Sequence, residues 1–143
     1  METLVRRLGR IFSLTNKDKP ASLPLRFVQR MDRLEQTLSA WVEAKGWRVP
    51  VRTVGEAAQR LGTDTGTLYA YFQERVGMDF RTWRTRLRLE DAKQMLAENP
   101  LLSPAEAARL CGFSNRSNFS RQFLAYTGKT PLQWQRDSES NPE

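Results

Sequence analysis

One stretch of this sequence decides the fold, and it occurs twice, about fifty residues apart. The first copy reads Thr53-Val54-Gly55-Glu56-Ala57-Ala58, followed by Leu61-Gly62, Leu68, Phe72, Gly77 and Trp83. The second copy reads Ser103-Pro104-Ala105-Glu106-Ala107-Ala108, followed by Cys111-Gly112, Phe119, Phe123, Gly128 and Trp134. One extra residue after the second turn keeps the copies in register. Two short helices around a glycine turn are the pattern of a helix-turn-helix motif, a DNA-reading device.

Composition narrows the class of protein. The chain has 143 residues, enough for one domain or two small lobes, and a formal net charge of +7. Such an excess favours a polyanionic partner, nucleic acid before an acidic membrane, over a merely solvated basic surface. The chain contains no histidine and one cysteine, which excludes a Cys/His metal site and an internal disulfide. With the common general base missing, an enzyme is the weakest interpretation, and we expect no cofactor.

The flanking and connecting segments predict an all-α chain without strands. Residues 1–24 predict a basic amphipathic segment and a proline-broken linker, because Leu4, Val5, Leu8, Ile11 and Phe12 recur at helical spacing with arginines between them. A helix is expected over about 25–45, with Gly46 as its stop. Residues 79–98 predict one continuous connector helix whose apolar face changes midway. No apolar run approaches the roughly 20 residues needed to span a bilayer.

Helix starts and stops divide the chain further. Capping boxes predict helix starts at Thr53 and Ser103, each with a glutamate three residues later. Asp64 is expected to cap a third helix over about 65–75 that Gly77 ends, and Ser114 to cap a helix over about 115–126. A short last helix follows Thr130-Pro131. The expected lobes are residues 25–78 and 100–136, and residues 138–143 are expected to fray.

The two copies together resemble the AraC/XylS family of bacterial transcription regulators. The strongest stretch is Cys111-Gly112-Phe113-Ser114, with Phe119-Ser120-Arg121-Gln122-Phe123, Thr127-Gly128, Thr130-Pro131 and Trp134. The resemblance covers about residues 50–137. It implies an all-α domain over 25–137, a homeodomain-like tandem repeat of two helix-turn-helix lobes joined by a rigid helix. It also implies sequence-specific binding of double-stranded DNA, with two recognition helices in successive major grooves.

The resemblance assigns the candidate contacts. In the second recognition helix they are Asn115, Arg116, Ser117, Asn118, Ser120 and Arg121. In the first they are Thr65, Gly66, Thr67, Tyr69, Ala70 and Gln73. Phosphate contacts are expected from Arg81, Arg84, Arg88 and Lys129. The alternative to DNA contact is that the arginines are solvated, or that those of the connector pair with Glu90 and Asp91. The connector arginines are Arg81, Arg84, Arg86 and Arg88.

Two departures from the family pattern leave alternatives open. Gly66 and Ala70 stand where base-reading side chains are expected, so the second helix should dominate, or the chain is a protein-interaction module that has lost effective DNA binding. Only 24 residues precede the first expected helix, too few for a sensing domain. We therefore expect a small regulator or the output part of a longer sensor, acting in the cytoplasm at the nucleoid, with RNA polymerase, an upstream sensor or a membrane tether as further partners.

Three non-polar positions have two interpretations each. Trp83 and Trp134 occupy equivalent repeat positions with inward helical phase, which favours core packing over stacking on single-stranded bases. Cys111 stands in the place of Leu61 and is expected to be a small core side chain rather than a redox-sensing thiol.

Overall fold

The described part of the chain is helical throughout. The computed structural model describes residues 24–140, and the expected amphipathic helix over 1–15 lies outside them. Those residues form seven α-helices and no strand, as predicted. The helices are α1 (Leu25–Glu43), α2 (Val54–Arg60), α3 (Thr65–Tyr71), α4 (Phe80–Glu98), α5 (Pro104–Leu110), α6 (Arg116–Thr127) and α7 (Pro131–Ser140).

The described chain divides into two compact units. The first unit comprises residues 24–46 and 51–84, and the second comprises residues 47–50 and 85–140. Helix α4 begins in the first unit and ends in the second, and it runs without a break through Leu87. This continuity confirms the predicted connector helix. Its start is capped by Asp79, whose carboxylate accepts the Thr82 amide at 2.7 Å.

Aromatic side chains build the core of the first unit. Trp41 of α1 stacks on Trp83 of α4, with ring centroids 5.7 Å apart. Phe72 packs against Phe80 at 5.5 Å and against Trp83 at 5.1 Å. Burying a side chain of this size stabilises the fold by about 1.5–3 kcal/mol. The predicted core role of Trp83 is therefore confirmed, and α1 contributes the stripe Met31, Leu34, Leu38 and Val42.

The third predicted helix differs from its expected form. α3 ends at Tyr71, and a π-helical turn over Phe72–Val76 follows before Gly77, with φ of 84°, stops it. The Gly77 amide donates to the Phe72 carbonyl at 2.7 Å, which is the wider ring of a π turn. Within that turn Arg75 pairs with Asp32 of α1 at 2.8 Å, so the turn is held against α1.

The second unit has a smaller, tightly filled core. Its buried residues are Leu89, Ala92, Leu96, Ala107, Ala108, Cys111, Phe119 and Phe123, with Trp134 packed against them. Cys111 is fully buried beside Met95, their sulfur atoms 3.8 Å apart, which confirms a core role. Burial, followed by the charge of Asp91, raises the pKa of its thiol above the ordinary range.

Residues 47–50 are an unexpected part of the second unit. Asp91 of α4 accepts the Trp47 indole N–H at 2.8 Å and two Arg48 guanidinium N–H groups at 2.7 and 2.8 Å. Burial opposes ionisation of this carboxyl, but the hydrogen bonds from Arg48 and Trp47 outweigh it and lower the pKa of Asp91. Arg48, rather than a connector arginine, is thus the partner that holds Asp91.

Gly112 lets these residues approach the second turn. Its φ is 99°, and a Cβ placed there would collide with the Trp47 carbonyl and come within 3.0 Å of the Arg48 carbonyl. A residue without a side chain is therefore required for two reasons, conformation and space.

Three predictions about helix ends need correction. Asn115, not Ser114, caps α6, accepting the Asn118 amide at 3.0 Å. Of the residues expected to fray, 138–140 are helical and end α7, where the Ser138 hydroxyl donates to the Trp134 carbonyl, and 141–143 lie outside the described residues. Thr53 and Ser103 cap α2 and α5 as predicted, but the glutamates of the expected capping boxes bind other groups, Glu56 the Arg52 amide and Glu106 the Arg109 guanidinium.

Candidate nucleic-acid interface

The first recognition helix presents a surface with few donors. Tyr69 is 61% exposed, and its hydroxyl accepts a hydrogen bond from the Gln73 side chain at 2.8 Å. Thr65 and Gly66 are exposed, whereas Ala70 is half-buried. The structure therefore brings Thr65, Gly66, Tyr69 and Gln73 to one exposed surface of the first unit.

Thr67 does not belong to that surface. Only 6% of the residue is exposed, and its hydroxyl donates to the Asp64 carboxylate at 2.9 Å. The outward orientation predicted for Thr67 is wrong, because the residue is buried and its hydroxyl is occupied by the cap of α3. The backbone and side-chain hydrogen bonds from Thr67, in that order, lower the pKa of Asp64, and the charge of Arg30 adds to the effect.

A groove of about 660 Å³ runs beside this helix within the first unit. Tyr69 and Gln73 line one part of it, and Arg81 of α4 lines another. Arg81 is exposed, so the groove combines an aromatic hydroxyl, an amide and a guanidinium above an apolar floor. The floor is formed by Val54, Leu68, Phe72, Met78 and Phe80.

The second recognition helix exposes two arginines, which the first lacks. Arg116, Ser117 and Arg121 are exposed on α6, whereas Ser120 is half-buried. Two of the predicted contact residues have internal roles. The Asn115 oxygen is occupied by the cap, and the Asn118 oxygen accepts the Gln122 amide at 2.9 Å. Their amide nitrogens are the groups by which either side chain can still donate to a ligand.

Leu124 was not among the predicted contacts. It is 47% exposed. Positions 117, 121 and 124 follow steps of four and three and therefore lie along one face of α6. This spacing could have identified Leu124 as a candidate contact from the sequence.

The predicted phosphate contacts divide into four different states. Arg88 is only 7% exposed, and its guanidinium donates to the carbonyls of Trp47 at 2.7 Å and Val49 at 3.3 Å. Its predicted phosphate role is wrong, because these donors hold residues 47–50. Lys129 is exposed but pairs with Asp137 at 2.6 Å. Arg81 is exposed, and Arg84 is half-buried against the Phe80 ring at 5.4 Å.

The two tryptophans at repeat-equivalent positions are structural. Trp134 is half-buried, packs on Phe123 at 6.1 Å and donates its indole N–H to the Lys93 carbonyl at 3.0 Å.

Within residues 24–140, no helix is long and apolar enough to cross a membrane. The same residues contain no group of three or more potential metal ligands.

Known proteins that resemble this chain in sequence are named as regulators, and a helix-turn-helix family matches it. A family model described as "Helix-turn-helix domain" matches residues 57–137. The Msm operon regulatory protein of Streptococcus mutans is 31% identical over 88 residues, covering 62% of this chain and 31% of the relative. The probable transcriptional regulator LumQ of Photobacterium leiognathi is 39% identical over 69 residues, covering 47% and 27%. The chain thus spans less than a third of the length of either relative.

Solved structures show the same architecture. The C-terminal domain of the two-component response regulator yesN from Fusobacterium nucleatum superposes with a TM-score of 0.61 at 25% identity. The match covers 71% of this chain and 95% of that domain.

Proposed function

Since the chain belongs to the AraC-type family of helix-turn-helix transcription regulators, we propose that it binds specific duplex DNA sequences through both recognition helices and thereby regulates transcription. The observation that carries the proposal is the surface of α6, where Arg116, Ser117 and Arg121 are exposed on a helix of the matched motif. The relatives are named as regulators, which agrees with the expectation of a protein that is not an enzyme.

The second recognition helix is proposed to supply most of the sequence selection. Arg121 can donate two parallel hydrogen bonds to a guanine edge, the commonest specific contact in the major groove. Leu124, three residues further along the same face, offers an apolar surface to a thymine methyl group. Arg116 and Ser117, at the start of the helix, are suited to phosphate or base contacts.

The first recognition helix is proposed to anchor rather than to read. Gly66 and Ala70 carry no donor, so the base edges facing them are not distinguished by hydrogen bonds. Tyr69, Gln73 and Arg81 border one groove of the first unit, and they can bind sugar and phosphate oxygens. Lys129 adds a cation on the second unit once its pairing with Asp137 is exchanged for a phosphate.

The relatives suggest the setting in which the domain acts. Because the chain spans less than a third of its named relatives, an additional sensing or receiver segment is the proposed source of regulation. One structural neighbour is the C-terminal domain of a two-component response regulator, which suits that arrangement. A bacterial DNA-binding regulator acts in the cytoplasm at the nucleoid, with RNA polymerase as the proposed protein partner at promoters. The alternative proposed localisation is at a membrane, through a tether in an additional segment.

A salt titration of duplex binding tests the proposal. If six to ten phosphates are contacted, affinity should fall by about 10³–10⁵-fold between 50 and 200 mM salt. Selection from random duplexes should then enrich a defined sequence, and nuclease protection should show whether two successive major grooves are covered. A folded chain that binds no duplex at low salt would instead support the protein-interaction module.

A further inference from the structure

Two arginines one turn apart in α4 have opposite hydrogen-bonding states. Arg88 is buried and its donors meet two backbone carbonyls of residues 47–50. In Arg84 the Nε and Nη1 atoms are shielded from solvent and have no acceptor within the described residues. The charged group rests instead on the ring of Phe80, at 5.4 Å from its centroid.

The resting position of Arg84 is energetically poor for an arginine. More than nine in ten buried polar groups in native proteins have a hydrogen-bond partner, and a shielded donor without one loses its bonds to water without replacement. Desolvation, and then the like charge of Arg81, lower the pKa of Arg84, so its surroundings oppose the charge as well. Cation–π contact with Phe80 offsets part of this penalty.

Packing alone does not call for arginine at this position. An unbranched apolar side chain such as methionine could cover the same face of Phe80 without shielding any donor. Arginine therefore gives up stability in the free protein, and a compensating gain has to come from another state. A guanidinium has five donors in a planar fork, which suits the oxygens of a phosphate.

We propose that Arg84 is a stored phosphate-binding residue, which lies on Phe80 in the free protein and turns outward to a DNA backbone phosphate beside Arg81 on binding. The inference rests on the proposed function and deepens it by naming a residue that exchanges stability for affinity. Arg81 lies three residues earlier in the same helix and is exposed, so the two guanidinium groups can reach neighbouring phosphate oxygens.

The test compares three methionine variants by urea unfolding and by duplex binding across a salt series. Arg84→Met should unfold at a urea concentration equal to or above that of the wild type. Its duplex affinity should fall by about tenfold to a hundredfold, as for a charged hydrogen bond, and its salt slope should become shallower by about one. Arg88→Met should instead lower the urea midpoint. Arg136→Met, an exposed arginine of α7, controls for the loss of one charge and should change affinity less than threefold.

Different failures separate the two ideas. If the wild type binds duplex and Arg84→Met binds equally well, the proposal for Arg84 is overturned while the proposed function stands. If Arg84→Met loses as much stability as Arg88→Met, the guanidinium is structural and the proposal is again overturned. A wild-type chain that is folded and binds no duplex at low salt overturns the proposed function, and the phosphate role of Arg84 with it. Arg84→Lys should keep the salt slope and recover only part of the affinity, because one ammonium cannot reproduce the fork.

Discussion

The two recognition helices share their scaffold and differ in their surface. α3 with its π turn and α6 each occupy twelve residues between a capping side chain and a left-handed glycine. Inward positions hold Leu68 in one copy and Phe119 in the other, both fully buried. On the outward face, however, Ala70 of the first copy corresponds to Arg121 of the second. Packing constrains the inner positions to apolar residues, whereas the outer positions are free to follow the ligand.

The glycines in the turns of the two motifs differ in how closely other residues approach them. Gly62 and Gly112 both adopt positive φ, at 69° and 99°. A Cβ on Gly62 would meet nothing within 4 Å, whereas one on Gly112 would meet the carbonyls of Trp47 and Arg48. Equivalent positions in a repeat can therefore carry unequal structural demands.

Replacing these glycines should give the largest difference between the units. Gly112→Ala should reduce the free energy of unfolding by about 3–5 kcal/mol, from left-handed strain plus the clash with two carbonyls. Gly62→Ala should cost about 1–2 kcal/mol, from strain alone. Urea unfolding of both variants measures the difference. Equal losses of unfolding free energy in the two variants would show that residues 47–50 move away from the new Cβ at no energetic cost.

Arg121 should carry more binding free energy than its counterpart. Arg121→Ala should weaken binding to the preferred duplex by about 1–3 kcal/mol and relax selection at one base pair. Ala70→Arg should raise affinity for all duplexes without adding selection. Site selection with each variant is the measurement. A uniform loss with a shallower salt slope would assign Arg121 to phosphate, and two half-sites of equal information content would contradict the asymmetry itself.

The helix starts of the two motifs should be equivalent in stability. Thr53→Ala and Ser103→Ala each remove a hydroxyl that accepts the amide of a glutamate, at 3.0 and 3.1 Å. Each should lower the free energy of unfolding by about 0.5–2 kcal/mol. Thermal melts provide the readout, with serine and threonine exchanged at each position as controls. A loss in one variant alone would show that the two caps contribute unequally.

The smallest expected difference is a pH effect. The folded pKa of Asp64 is lowered by its hydrogen bonds to Thr67, so its stabilising effect is present above the unfolded value near pH 4. That effect is lost as pH falls through the folded pKa. The equivalent cap Asn115 does not titrate. Asp64→Asn should therefore lose less stability than the wild type between pH 5 and 3, and Asn115→Asp should lose more. Parallel melting curves for all three proteins would contradict this.

The sequence predicted those features that local chemistry determines. Glycine turns, capping side chains and apolar spacing predicted all seven helices of the described residues, because each of these signals depends on neighbours in the chain. The cap of α6 was assigned one residue early because Ser114 and Asn115 are both good caps, and only the backbone conformation decides between them.

Long-range contacts account for only part of what was missed. Arg88 belongs to a cluster with residues 47–50, about forty residues away, and no local pattern distinguishes it from the exposed Arg81. Helical spacing does not show that Thr67 is buried or that its hydroxyl donates to Asp64. The π turn after Tyr71 widens a helix whose sequence period is ordinary. For Arg88 and Thr67, a specific hydrogen-bond partner occupies a side chain that the local pattern predicted to be available for DNA.

The capture of residues 47–50 by the second unit limits how the protein can be divided. In sequence the motifs look like two interchangeable modules, and a cut before α4 or in its middle would seem to separate them. Yet a fragment beginning at residue 85 would lack Trp47 and Arg48, and would leave the Asp91 carboxylate buried without its cation and without the indole donor. A chimera that transplants only the second motif should therefore carry this four-residue segment with it, joined by a new linker. The second motif therefore cannot be separated from residues 47–50 without losing the contacts that hold Asp91.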